Sequence, residues 1–254
     1  MNNILCKIIS LTKKFENDQT DNAVIDNLNL DIIQGEILSL IAPSGYGKTT
    51  FLNLLAGIDT PTAGDIKKGG NLDIGYMFQQ EVLLPWRNVL NNVLLGVEIK
   101  GKDIRTYRKL VINLLRRFGL DGVEKLYPHE LSGGMHQRVA LIQNLLFEPE
   151  LLLLDEPFSS LDYVHKLRLE IEIYQHIKSK GMTAILVTHD IEDAITVSDR
   201  ILLFQKKPLS EFEEFPVILE DRTDPSKVRR SQVFLDLFAH FWRFFEEKGE
   251  IGFS

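Results

Sequence analysis

The chain holds one cysteine, Cys6, in 254 residues, so neither a disulfide framework nor a cysteine-based metal site is available, and a reducing compartment is expected. Five residues precede Cys6 and Lys7 follows it, which leaves no room for the apolar core of a lipidation signal. Long apolar runs are missing as well. A spanning helix needs about 18 or more such residues in a row, and runs such as Leu151–Leu154 fall far short. Any membrane association must therefore come through a partner or a surface. Positive charge is also scarce: a net charge of -7 argues against a general nucleic-acid binder. What is present is apolar content of 44%, enough for one large α/β domain or a domain plus a subdomain.

The most informative stretch is Ile37–Leu55, ILSLIAPSGYGKTTFLNLL. It predicts a buried strand, the turn Ala42-Pro43-Ser44-Gly45-Tyr46-Gly47, and a helix opening at Lys48-Thr49-Thr50. Such a turn binds phosphate: backbone N–H groups converge, the helix N-terminus adds partial positive charge, and Lys48 adds a full one. Thr49 offers a hydroxyl to a divalent cation. The stretch matches G-x-x-x-x-G-K-S/T at every fixed position but the first, where Ala42 replaces glycine. If Ala42 needs a positive φ the cost is roughly 1–2 kcal/mol; at negative φ alanine is harmless.

Upstream, residues 4–15 and 23–33 predict two strands around a polar turn, with Leu28, Leu30 and Ile32 alternating against Asn27, Asn29 and Asp31. Phe15 ends the first and is either a stacking platform for a base or an edge-of-core aromatic. Downstream, Thr60–Asn71 predicts turns around a short hairpin, and residues 73–78 another strand with Gln79 at its end. Gln79 can reach a metal or a water, or be a plain loop residue. From Asn88 to Leu145 the apolar period turns helical, entered through Leu83-Leu84-Pro85-Trp86.

That block contains Ser132-Gly133-Gly134 before a helix, either a second anion site or a simple helix start. Leu151–Leu154 predicts a strand buried on both faces that delivers Asp155 and Glu156 to its C-terminal end. Asp155 is placed to hold magnesium through water, and Glu156 to act as general base, a role worth about 10²–10⁴-fold. Asp162 opens a long amphipathic helix to Lys180, and residues 183–188 predict a strand with His189 at its end. Two further strands are expected at 200–205 and 216–220, then a charged linker over Asp221–Lys227. Phe234, Leu237, Phe238, Phe241, Trp242 and Phe245 form a helical stripe, expected to cover its own domain or a partner. Docking on a membrane surface is disfavoured by Asp236, Glu246 and Glu247.

In their order these motifs resemble the nucleotide-binding subunit of an ABC transporter, over residues 4 to about 220. Phe15 resembles the adenine-stacking aromatic, Ala42–Thr49 the phosphate loop, Gln79 the Q-loop and Leu131–Gln137 the signature motif. Leu151–Glu156 resembles the Walker B strand, Ser159–Asp162 the D-loop and His189 the switch histidine. FQQEVLLPWRNVLNNV and LSGGMHQRVA are similar to the nitrate, sulfonate and taurine importer branch, from which Ala42 and His136 depart.

The resemblance implies an α/β P-loop NTPase core with a mixed sheet, an antiparallel β subdomain and an inserted helical subdomain over about 80–148, all within 1–220, then a helical extension over 221–254. It implies ATP and Mg2+ as cofactors, with Thr49, Gln79 and Asp155 toward the metal. The partners it implies are a second copy or a similar ATPase subunit, a membrane permease and, indirectly, an extracytoplasmic solute-binding protein, with no nucleic acid. The location it implies is peripheral, on the cytoplasmic face of the membrane. In the implied pairing, Ser132–Gly134 of one chain contacts the γ-phosphate held by Lys48 of the other, which accounts for two phosphate-type sites in one chain. A regulatory or translation-type ABC ATPase would carry two cassettes or a coiled-coil insertion, and an unrelated P-loop kinase has no use for Ser132-Gly133-Gly134 or His189.

Overall fold

The computed structural model describes residues 3–15, 23–70, 72–80 and 82–248. They fall into two compact units, Met1–Leu72 with Thr183–Ser254, and Asp73–Met182. The polar turn expected between the first two strands, the end of the 60–71 segment at Asn71, and the last residues of the C-terminal extension lie outside the described residues.

In the first unit, β1 (Ile4–Lys14) pairs antiparallel with β2 (Ala23–Ile33), with Ile8 opposite Leu30 and Cys6 opposite Ile32. The alternation seen in the sequence buries Leu28, Leu30 and Ile32 and leaves Asn27 and Asn29 exposed. β3 (Ile37–Ile41) is buried at all five positions and leads into α1 (Lys48–Ala56), which ends at Gly57. Where a local hairpin is expected, the chain makes a single strand, β4 (Ala63–Lys68), which pairs antiparallel with β1. The glycine there serves close approach instead of a turn: a Cβ on Gly64 would lie 2.2 Å from the Ser10 carbonyl oxygen.

The second unit begins with β5 (Ile74–Met77) and continues through α2 (Val89–Val93), α3 (Leu95–Ile99), α4 (Ile104–Arg117) and α5 (Gly133–Leu146). It closes with β6 (Leu151–Asp155), which runs parallel to β5, and α6 (Tyr163–Lys180). Helix starts follow local chemistry, with Asn88, Asp103, Ser132 and Asp162 each accepting a backbone N–H as N-cap.

The chain then returns to the first unit with β7 (Thr183–Val187), α7 (Ile191–Val197), β8 (Arg200–Phe204) and β9 (Phe212–Pro216). Here β7 and β8 flank β3 in parallel, and β9 is antiparallel to β8, so the first unit holds a mixed sheet beside its antiparallel one. The strand expected at 216–220 lies earlier because the ladder to β8 ends at Pro216, which has no N–H to donate. The charged segment after it is anchored: buried Arg222 donates to the carbonyls of Thr196, Ser198 and Val217 at 3.3, 2.6 and 2.9 Å. It leads through α8 (Pro225–Arg230) to α9 (Gln232–Glu247), which buries Phe234, Phe241 and Phe245 on its own unit, with Phe241 edge-on to Phe215 at 5.0 Å. No helix among the described residues is long and apolar enough to cross a membrane.

Candidate functional site

In the first unit the site starts at the C-terminal edge of β3. Two parallel neighbours hold the strand, with Leu40 opposite both Val187 and Leu202, so the turn after it leaves from a fixed point. Gly45 and Gly47 have φ of 76° and 99°. At Gly47 glycine is required twice over, since a Cβ would also meet Val24 Cγ1 at 2.4 Å. No side chain caps the start of α1, and a helix N-terminus favours an anion. Ala42 is fully buried and is not among the residues with positive φ, so alanine here carries no backbone strain.

Lys48 is buried and its Nζ donates to the carbonyls of Ala42 at 2.5 Å and Pro43 at 3.0 Å, folding the ammonium over the turn. Ser44, Gly45 and Thr49 are exposed, and Tyr46 and Thr50 half-buried. At the end of the neighbouring β7, His189 is exposed in a turn tied on both sides. Thr188 Oγ1 accepts from Asp190 N at 3.0 Å and donates to Asp193 Oδ2 at 3.2 Å, while Asp190 caps α7 through Glu192 N at 2.8 Å. Phe15, 44% exposed, follows β1 as a surface ring with Lys13 Nζ 4.9 Å from its centroid.

In the second unit the parallel pair β5 and β6 puts Gln79 and Asp155-Glu156 on one edge. Gln79 Nε2 donates to Glu156 Oε2 at 3.3 Å. Asp155 is buried; burial and then its negative charge push the Tyr76 phenol well above the usual range. Glu156 has φ of 51°, a left-handed conformation costing roughly 1–2 kcal/mol for a residue with a Cβ. Ser132 Oγ accepts from Met135 N at 3.4 Å at the start of α5, and a Cβ on Gly133 would meet open space. A Cβ on Gly134 would come within 3.1 Å of the Ser160 carbonyl, so the first turn of α5 and the Ser159–Leu161 turn are in close contact. Exposed Asp162 caps α6, accepting from His165 N at 3.2 Å and pairing with His165 Nδ1 at 2.7 Å. Both bonds hold its carboxyl below the usual carboxylate range.

Two sets of contacts go beyond the sequence expectations. The Thr188–Asp190–Asp193 tie was findable, because Asp190 stands in the N-cap position of a helix. For Gln137 the sequence gives only its place at the end of the signature-like stretch; the fold shows it buried against the Glu156–Ser160 turn.

A family profile described as ABC transporter matches residues 25–159. The formylaminopyrimidine import ATP-binding protein ThiZ of Halalkalibacterium halodurans is 41% identical, over 87% of this chain and 90% of its own length. The aliphatic sulfonates import ATP-binding protein SsuB 1 of Rhodococcus jostii is 43% identical, over 72% of this chain and 74% of its own. Among solved structures, a dimeric post-hydrolysis state of the ATP-binding cassette MJ0796 bound to ADP and Pi superimposes with a TM-score of 0.75 at 30% identity, covering 84% of this chain and 99% of that one. The family match and identity at this level show that the chain belongs to the ABC transporter family as an ATP-binding, ATP-hydrolysing subunit.

Proposed function

We propose that this chain is the ATPase subunit of an importer, acting at the cytoplasmic face of the membrane as a head-to-tail pair of copies, or with a similar ATPase subunit, to drive a separate permease. The observation that carries the reading is the Gln79–Glu156 hydrogen bond at a shared strand edge, in a chain whose relatives are import ATP-binding proteins. The nucleotide-binding domain is assigned to 1–220 with a helical subdomain over about 80–148, and 221–254 to a helical extension.

The phosphate turn fits the nucleotide: Gly47 leaves space no Cβ can take, α1 has no side-chain cap, and Lys48 stands over the turn. Pro43, Ser44, Gly45, Tyr46 and Thr50 complete that cradle, and Phe15 stacks on adenine. Thr49, Gln79 and Asp155 offer the hard oxygen donors Mg2+ prefers. The bound ion would neutralise charge on the β- and γ-phosphates. Glu156 positions the attacking water, His189 contacts the γ-phosphate, and Ser132, Gly133 and Gly134, together with Asp162, serve the nucleotide of the partner copy. Catalysis of this kind is positioning plus electrostatics.

The permease docks on the helical block. Supporting this, the second unit has a cleft of about 330 Å³ lined by Tyr76, Phe78, Val82, Ile99 and Phe147 among others, and Trp86 is 71% exposed next to it in sequence. The relatives' aliphatic sulfonates and formylaminopyrimidine support a small polar solute of the nitrate, sulfonate or taurine kind, delivered to the permease by a solute-binding protein. The test is Glu156→Gln: ATP binding persists, turnover falls by about 10² or more, and an ATP-bound dimer accumulates in light scattering. Normal turnover would remove Glu156 from its role.

A further inference from the structure

Gln137 lies one turn into α5 and is 1% exposed. Its amide is spent on one short segment. Nε2 donates to the Glu156 carbonyl at 3.1 Å and to Ser159 Oγ at 3.2 Å, and Oε1 accepts from Ser160 N at 3.0 Å. Ser159 Oγ donates to the same Glu156 carbonyl at 3.1 Å. Every partner thus sits in the turn that begins at Glu156, whose φ of 51° a relaxed chain would leave.

We propose that Gln137 is a positioning residue for ATP hydrolysis: it clamps the peptide after Glu156 so that the left-handed backbone holds and the carboxylate stays beside Gln79. The clamp also joins this turn to the first turn of α5, where Gly134 already allows close contact with Ser160. Rotation about the Glu156 backbone swings the carboxylate off its line, and an error of about 1 Å at such a group can cost about a hundredfold in rate. The inference rests on the reading of Glu156 as the residue that positions water.

The test uses steady-state ATP hydrolysis by the full chain carrying Gln137→Met or Gln137→Glu, with Glu156→Gln assayed in parallel. Methionine keeps the volume and loses all three bonds; kcat is expected to fall about 10- to 100-fold, with the KM for ATP changed less than about threefold. Glutamate can accept from Ser160 N but, as a carboxylate, cannot donate to the Glu156 carbonyl. Protonation restores that donor, and burial among acceptors raises the pKa that governs it. The ratio of kcat for Gln137→Glu to wild type should therefore rise about tenfold between about pH 8 and pH 6. A merely structural glutamine would lower the melting temperature and leave this ratio flat. A flat ratio, wild-type kcat in both variants, or insolubility of both overturns the proposal. If Glu156→Gln itself turns over normally, the underlying reading fails instead.

Discussion

Replacing Ala42 by glycine restores the first glycine of the phosphate-loop pattern, and the geometry makes that restoration a loss. Ala42 is fully buried and its φ is not positive. Glycine there adds freedom to the unfolded chain, worth about 0.4–1 kcal/mol, and removes one buried methyl, worth about 0.8 kcal/mol. The variant should be less stable by roughly 1–2 kcal/mol, which for a unit of this size lowers the melting temperature by roughly 3–6 °C. ATP affinity should stay within about threefold of wild type, because the turn's left-handed positions are Gly45 and Gly47. Calorimetry without nucleotide measures the first effect free of ligand linkage, and a fluorescent-nucleotide titration measures the second. A tenfold gain in affinity, about 1.4 kcal/mol, with unchanged melting would show instead that alanine obstructs the loop.

Gly47→Ala should do the opposite. Its Cβ would lie 2.4 Å from Val24 Cγ1 and 3.2 Å from the Val24 carbonyl oxygen, so the turn must shift and ATP affinity should drop more than about tenfold in the same titration; wild-type affinity would show the cradle to be elsewhere. Buried His176 has its pKa held below the ordinary 6.5, by burial first and then by Arg117 and Lys180. Above pH 6.5 it is neutral folded or unfolded; as pH falls below that value the unfolded chain takes up the proton first and stability is lost until the folded pKa is passed. The melting temperature of His176→Gln should fall less than wild type between about pH 7 and pH 5, and parallel curves would refute this.

Elements with strong period or strong punctuation were legible from the sequence alone. β3 and β6 are five-residue runs buried at every position, and α1 stops at a glycine. Where the reading missed, a non-local partner decided. Nothing near Thr60–Asn71 shows that Ala63–Lys68 will pair with β1, nor that the ladder on β8 selects Phe212–Pro216 over the more apolar residues after it. Arg222 falls in the segment expected as a charged linker, and its three carbonyl acceptors come from 5 to 26 residues away. The same holds at the site. Residue types that bind phosphate or activate water are visible as letters, and they sit at strand ends as expected. The left-handed Glu156 and the amide that grips it are products of packing.

The two units use different means to prepare their chemistry, and this decides which substitutions each tolerates. The phosphate turn works through its main chain. On the proposed reading its demands are that Gly47 have no side chain and that Lys48 supply charge. On that reading Lys48 meets phosphate by exchange, since its bonds to the Ala42 and Pro43 carbonyls yield to phosphate oxygens. The β6 edge works through side chains held against strain. Glu156 keeps its left-handed conformation because Gln137 and Ser159 both bond its carbonyl, and its carboxylate faces Gln79 as a result. A main-chain cradle survives most side-chain changes, whereas a strained carboxylate depends on each neighbour that opposes its relaxation. Loss of turnover with nucleotide binding intact is therefore the expected signature of damage around β6, and loss of binding that of damage around Gly47.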